Sequence, residues 1–305
     1  MKRLPIMMIS GICLLAAGCG APSSGALGPA PTATAKPSSP AVSPGTGTAN
    51  AAPSPSGQRP TATPTQGPAR EIGLQAWFSR NGKLFVTKRT VPATTGIGQA
   101  ALDRMLTGPS AAEYAAGLRS RIPAGTTVRG VRISAGIATV DLSSSFESAA
   151  SPSAMPLRIA QVVYTLTQFP TVTGVRFAIN GQGVTVVGGV PVQSPQTRAM
   201  YSGYLPAITV RSPVIGARVT SPVTVSGTAN VFEATVSVRI LDSAGREIAR
   251  TFTTASCGTG CRGDYSVTVS YSLPRMQPGT IEVFESSAKD GQPINVQLIP
   301  VTLAP

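Results

Sequence analysis

Between residues 74 and 184 short alternating runs of apolar and polar residues are interrupted twice by a longer, helical period. "LQAWFS" (74–79) and "KLFVTKR" (83–89) read as two strands, with Arg80-Asn81-Gly82 as the hairpin turn between them. Ile97, Ala101, Leu102, Met105 and Leu106 recur at helical spacing, and Gly108-Pro109 stops that helix. "TVRGVRIS" and "IATVDLS" predict a second hairpin around Ala135-Gly136, with Ala138, Val140 and Leu142 on one face. "PLRIAQVVYTLTQF" (156–169) is long for a strand and ends at Pro170. Its apolar residues, among them Leu157, Ala160, Val163 and Tyr164, predict a mostly buried helix. "VTGVRFAI" closes the series as a strand with Val175, Phe177 and Ile179 inward, turning at Asn180-Gly181. The order ββαββαβ implies an α+β domain, a sheet with two helices, over 71–190.

A different rhythm follows. Residues 191–205, "PVQSPQTRAMYSGYL", form a connector in which Tyr201, Tyr204 and Leu205 are available for packing. From 206 to 305 come "AITVRS", "PVTVSGTA", "TVSVRILD", "EIARTFTT", "DYSVTVSY", "TIEVFES" and "INVQLIPVTL". Turn signals such as Ser212-Pro213, Ser243-Ala244-Gly245 and Lys289-Asp290-Gly291 separate them. Short alternating strands at this spacing read as an all-β immunoglobulin-like sandwich, with Val236, Val238 and Ile240 inward.

The first seventy residues have no such pattern. Lys2 and Arg3 precede a mostly apolar run from Leu4 to Ala17, the length of a signal-peptide core and too short to span a bilayer as a helix. Leu15-Ala16-Ala17-Gly18-Cys19 resembles the lipobox of bacterial lipoproteins, although Leu15 stands one place earlier than usual. That resemblance makes 1–18 a signal peptide and Cys19 the acylated N-terminus of the mature chain; a plain secretory signal cut near Ala17 is the alternative. Residues 19–70 are rich in Pro, Ser, Thr and Ala, with Leu27 and Val42 as the larger aliphatics. Such a segment buries too little to offset its ordering entropy and is expected to be a disordered tether. As a flexible coil it spans about 40 Å, and about 150 Å if extended.

Charge narrows the chemistry. The chain has 305 residues, 25 Lys and Arg against 12 Asp and Glu, a net charge of +13, and no histidine. Ser-His-Asp and Cys-His machinery and imidazole metal sites are therefore absent. The basic residues are scattered and aromatics are 5%, which argues against nucleic acid. Arg119, Arg121, Arg129, Arg132 and Arg176 concentrate positive charge in the first domain, as candidate contacts for phosphate-rich wall polymers or lipid headgroups, with local pairing as the alternative. Cys257 and Cys261 have the wrong spacing for a redox CxxC motif and lack zinc partners; outside the cytoplasm a disulfide is expected. Arg262-Gly263-Asp264 spells an integrin tripeptide that chance readily supplies. Asp141 with Glu147, Glu282 with Glu285, and Ser286 or Ser287 with Lys289 are the pairs from which a hydrolase would have to be built; the three-residue offset puts Glu282 and Glu285 on opposite faces of a strand.

Three blocks in order, "ALDRMLTGPS", "GLRSRIPAGTTVRGVRISAGIATVDLS" and "AQVVYTLTQFPTVTGVRFAINGQ", resemble the GerMN domain of sporulation and germination lipoproteins over nearly all of 74–184. Asn180 stands where members of that family often carry Asp. The second half, above all Asn230-Val231-Phe232-Glu233-Ala234 and Glu285-Ser286-Ser287-Ala288-Lys289-Asp290-Gly291, resembles the immunoglobulin-like Gmad domain that often follows it. The resemblances imply an envelope scaffold without catalytic residues, cofactor or metal. The expected protein is non-enzymatic, lipid-anchored on the extracytoplasmic face of the bacterial cell membrane, and binds envelope proteins or itself. A wall-glycan or anionic wall-polymer binder is the alternative, and a wall hydrolase a more distant one.

Overall fold

Trp77, Phe78, Leu84, Phe85 and Val86 are bulky, β-propensive and buried on both faces of their strands, so the hairpin that carries them lies inside the fold. The computed structural model describes residues 70–149, 151 and 153–305; the lipobox with Cys19, and the tether up to residue 69, lie outside the described residues. Strand β1 (Glu71–Arg80) pairs with β2 (Lys83–Pro92) in continuous antiparallel register through a turn at Asn81-Gly82, where both residues have positive φ. Helix α1 (Ile97–Leu106) and a short α2 (Ala111–Ala115) follow. Next come β3 (Val128–Ser134), β4 (Ile137–Leu142), helix α3 (Met155–Leu166) and β5 (Gly174–Ile179). The domain closes with the two-residue strands β6 (Gln182–Gly183), β7 (Val186–Val187) and β8 (Val190–Pro191).

The four-stranded sheet runs β3-β4-β5-β6, with β4 and β5 parallel across the α3 crossover. Helices α1 and α3 cover the face that carries Ala138, Val140, Val175 and Phe177. The β1–β2 hairpin is a separate two-stranded sheet packed on the other side of the helices, which the order of elements alone did not show. Helix α3 is thus enclosed, and every residue from Leu157 to Leu166 is buried, as expected for a helix apolar on all sides.

Its polar residues explain why the hairpin needs no further strand. Gln161 donates from Nε2 to the Trp77 carbonyl (2.8 Å) and accepts from the Arg121 N–H (2.7 Å). Just past the helix, Gln168 accepts from the Gln75 N–H (2.7 Å) and donates to the Gln75 carbonyl (2.8 Å). Ser79 and Arg119 exchange backbone hydrogen bonds at 2.9 and 2.8 Å. The open edge of β1 is therefore satisfied by side chains and one bridge. Arg158 donates to the carbonyls of Arg121, Phe146 and Ser148 and ties the loops beneath the helix.

The connector is ordered. A 3-10 turn spans Ala199–Tyr204, and the buried Tyr201 hydroxyl donates to Gln196 Oε1 at 2.6 Å. Burial, reinforced by Tyr204, pushes that phenol up to about 12.

Beyond it lie β9 (Ile208–Ser212), β10 (Arg218–Val219), β11 (Val223–Ala229), β12 (Thr235–Leu241), β13 (Glu247–Thr254), β14 (Gly263–Val269), β15 (Gln277–Ser286) and β16 (Pro293–Leu303). A five-stranded sheet, β10-β16-β15-β12-β13, faces a three-stranded one, β14-β11-β9. Val236, Val238 and Ile240 are fully buried between them, so the sandwich expected from the strand rhythm is present. One continuous cluster of buried apolar residues runs from Trp77 and Val163 through Tyr201 and Ile208 to Val238 and Leu303. Arg80 adds hydrogen bonds across the junction, to the Leu298 carbonyl (3.0 Å) and Gln297 Oε1 (2.9 Å).

Candidate functional site

In β3, β4 and β5, alternation sends Ala138, Val140 and Phe177 to the helices and Arg132, Thr139 and Arg176 to the opposite, open face. Arg132, Thr139 and Arg176 are register partners in one row across that open face. Strand spacing puts the two arginines about 10 Å apart, on either side of the threonine. A backbone bulge between Val128 and Gly130 turns Arg129 to the same side, where its Nε lies 3.4 Å from Asp141 Oδ2. Asp141 Oδ1 accepts from the Gly181 N–H at 2.9 Å. A shallow depression of about 390 Å³ lies among Arg129, Arg132, Thr139, Asp141 and Gly181. Among the described residues Arg132 and Arg176 make no ion pair.

Three of the five candidate arginines are therefore brought together, and two are not. Arg119 lies over the Tyr114 ring at 3.6 Å and donates to the carbonyls of Tyr114 and Leu118. Arg121 donates to Ser79 Oγ at 2.9 Å. Arg119 thus braces the turn after α2 on itself, and Arg121 fastens that segment to the hairpin.

The carboxylate pairs that a hydrolase would need are occupied. Glu147 accepts from the Gly188 N–H (2.9 Å), away from Asp141's partners. Glu282 is held at two points by Arg239 (2.9 and 3.0 Å). Glu285 accepts from the Phe232 N–H (2.8 Å) and from Asn295 Nδ2 (2.7 Å). Ser287 Oγ accepts from the backbone N–H of Lys289, and Ser286 faces Ser237. Asn180 Oδ1 accepts from the Ser144 N–H at 3.3 Å, a task an amide oxygen performs as well as a carboxylate.

Cys257 and Cys261 form a disulfide with Cα atoms 5.7 Å apart. The loop docks on the turn before β12: Thr259 N–H donates to the Val231 carbonyl, and Gly260 N–H to Asn230 Oδ1. Arg262 and Asp264 of the Arg-Gly-Asp triplet turn back onto the domain, Arg262 onto the carbonyls of Pro206 and Thr228 and Asp264 onto Arg211. Reading the sequence missed a second arginine group, Arg198, Arg211 and Arg262, because its members come from three elements distant in the chain. Strand pattern and turn signals do not report on pairing of that range.

An α+β domain followed by an immunoglobulin-like sandwich, with an arginine-bearing open sheet, is the class that fold and surface define. Residues 77–185 match the Germane family, described as sporulation and spore germination, and residues 207–292 match the Gmad2 family, the immunoglobulin-like domain of bacterial spore germination. The chain carries these two domains in tandem, as the GerMN and Gmad resemblances implied. Neither is a known enzyme family. Among solved structures, the first GerMN domain of the sporulation protein GerM from Bacillus subtilis is 27% identical, over 42% of this chain and 98% of that one, with a TM-score of 0.38. The tandem GerMN domains of the same protein are 18% identical over 77% of this chain, which spans 61% of that structure's length, with a TM-score of 0.38. A putative lipoprotein from Clostridium perfringens is 19% identical over 42% of this chain and 89% of that one, with a TM-score of 0.32. No curated protein matches the chain.

Proposed function

We propose that the protein is a non-enzymatic binding and assembly module of the bacterial envelope, tied to sporulation or germination and held at the outer face of the cell membrane by lipid on Cys19. The observation that carries this reading is the division of labour among charged groups. Asp141, Glu147, Glu282 and Glu285, the acids a hydrolase would draw on, are tied to structural donors, whereas Arg132 and Arg176 make no ion pair among the described residues and stand on an open sheet face beside Arg129. Such a surface recognises an acidic partner and makes or breaks no bonds.

Crosslinking of the anchored full-length protein in its native envelope tests the proposal. A defined protein partner, or a second copy of the chain, is expected in the wild type and is lost when Arg129, Arg132 and Arg176 are changed to Ala. An unchanged crosslinking pattern in that triple variant overturns the assignment of the surface. Cys19→Ala is expected to release the protein or leave it unprocessed, and a variant that stays acylated removes the anchor. The same arginines favour a second reading, an anionic wall-polymer binder. It predicts salt-sensitive cosedimentation with purified walls that the triple variant abolishes. Turnover of labelled peptidoglycan would instead mark a hydrolase.

A further inference from the structure

A cleft of about 470 Å³ opens between the two domains, a volume that suits one small organic unit. Its floor is Trp77 and Tyr164, whose rings lie 4.8 Å apart, and its walls carry Arg198, Arg211 and Arg262. Each arginine is aimed by fixed acceptors. Arg198 donates from Nε to Thr167 Oγ1 (2.8 Å) and from Nη2 to the Tyr164 carbonyl (2.9 Å), with its guanidinium 4.8 Å from the Tyr164 ring centre. Arg262 donates from Nη2 to the Pro206 carbonyl (2.6 Å) and from Nη1 to the Thr228 carbonyl (3.3 Å). Arg211 donates to the Gly227 carbonyl (3.2 Å) and pairs with the largely exposed Asp264.

Against these three cations the cleft sets one carboxylate. Among the described residues neither Arg198 nor Arg262 meets an acid. Burial pulls both guanidiniums below the usual arginine range, and Arg211 adds repulsion at Arg198. Half-buried, like-charged groups held mainly by neutral acceptors are unfavourable unless an anion completes them. Arg198 Nη1, Arg262 Nε, and Arg211 Nε and Nη1 donate to no protein acceptor among the described residues. Of the floor residues, Trp77 has its indole N–H buried with no partner among the described residues.

The geometry points to a site for a phosphate group carried on a polyol or sugar. A carboxylate has two oxygens to offer three guanidiniums, whereas a phosphate has at least one more and, as a monoester, close to two charges to balance the excess of two. The side-chain amide of Gln75 and the hydroxyl of Ser202, also on the cleft, suit the polyol hydroxyls. This cleft is on a different surface from the Arg129–Arg132–Arg176 row, so the inference stands apart from the assembly reading.

Trp77 is the only tryptophan, and its fluorescence reports on the cleft directly. Titration of the full-length protein with inorganic phosphate and with glycerol 3-phosphate at constant ionic strength is expected to give a saturable change, tighter for the ester. Arg198→Gln and Arg262→Gln should each weaken it at least tenfold, while Arg275→Gln, at an exposed arginine of the sandwich, leaves it unchanged. Should the glutamine variants unfold, Arg198→Lys keeps the charge but loses the fork, and is expected to weaken binding; the wild type should also melt at higher temperature in phosphate than in chloride. Binding of glycerol 3-phosphate but not of phosphatidylglycerol vesicles assigns the source as a soluble or wall-borne ester. Arg198-dependent vesicle binding assigns it as a lipid headgroup. No saturable change with either phosphate, or equal binding by the wild type and the folded Arg198 and Arg262 variants, overturns the proposal.

Discussion

Arg89 grips the carboxylate of Glu113 at two points, Nη1 to Oε1 at 2.9 Å and Nη2 to Oε2 at 2.6 Å, and so joins β2 to α2. The same carboxylate accepts from Thr87 Oγ1 and from the Ser110 N–H, while Ser110 Oγ accepts from the Glu113 N–H in a reciprocal cap. Burial alone would raise this acid. The hydrogen bonds from Arg89, Thr87 and Ser110, with the Arg89 charge, outweigh it and hold Glu113 below the usual range.

A depressed acid stabilises the fold above its unfolded value and loses that contribution as pH falls through the folded one. Stability measured by urea unfolding should therefore decline as pH drops below about 4.3, the ordinary glutamate value. In Glu113→Gln that segment of the pH profile flattens. At neutral pH the variant leaves the Arg89 charge unpaired, at a cost of about 3 kcal/mol. Equal acid sensitivity in wild type and variant would show that Glu113 is not the group responsible.

Gln161 is fully buried, and its amide serves two backbone groups on different segments, Trp77 and Arg121. Gln161→Leu keeps the volume and strands both. With about 1–3 kcal/mol for each of the two unsatisfied groups, the variant should lose roughly 2–6 kcal/mol. Hydrogen exchange at β1 is the sharper readout: protection should fall furthest there, while β12 and β15 lose only what the drop in global stability takes from them.

Gly227 sits where β11 shifts register against β9, with the Tyr265 hydroxyl donating over it to the Thr209 carbonyl at 3.0 Å. A Cβ at this position would collide with the Thr209 carbonyl oxygen, which is backbone and has no rotamer to yield. Gly227→Ala should cost about 3 kcal/mol or more and spoil the three-stranded sheet. A circular dichroism melt unchanged from wild type would contradict this.

The Cys257–Cys261 disulfide closes a very short loop, so cross-linking removes little chain entropy. Replacing both residues with Ser is expected to cost about 2 kcal/mol, leaving the protein folded with a melting temperature about 5 °C lower. Reduction of the wild type should reproduce the effect and leave the double variant untouched.

Much of this architecture is written in local pattern. Alternation at Ala138, Val140 and Leu142 and at Val236, Val238 and Ile240 identifies strands because one face is buried and the other is wet. Helix α3 is legible from length, since twelve apolar-rich residues exceed most strands. Helix α2 was missed: five residues carry no period, although Ser110-Ala-Ala-Glu113 after Pro109 is the cap signature that marks it. The separate hairpin sheet was not legible either. Its edge is closed by Gln161 and Gln168, and no pattern within β1 announces partners that distant in the chain. Of the arginines, Arg129, Arg132 and Arg176 lie on β3 and β5, the two strands that flank β4 in one sheet. Arg198, Arg211 and Arg262 meet only because two domains fold against each other.

The apolar cluster that runs unbroken from Val163 to Val238 has a thermodynamic consequence. A polar, water-filled boundary would let each domain melt at its own temperature. Here the turn that carries Tyr201 packs on α3 and β9 packs on β2 within one apolar cluster, so opening either half exposes the other's core to water. The pair is expected to unfold as one cooperative unit, with calorimetric and van't Hoff enthalpies in agreement. A lesion in the hairpin then lowers the stability of the sandwich, and the cleft between them persists only while both are whole.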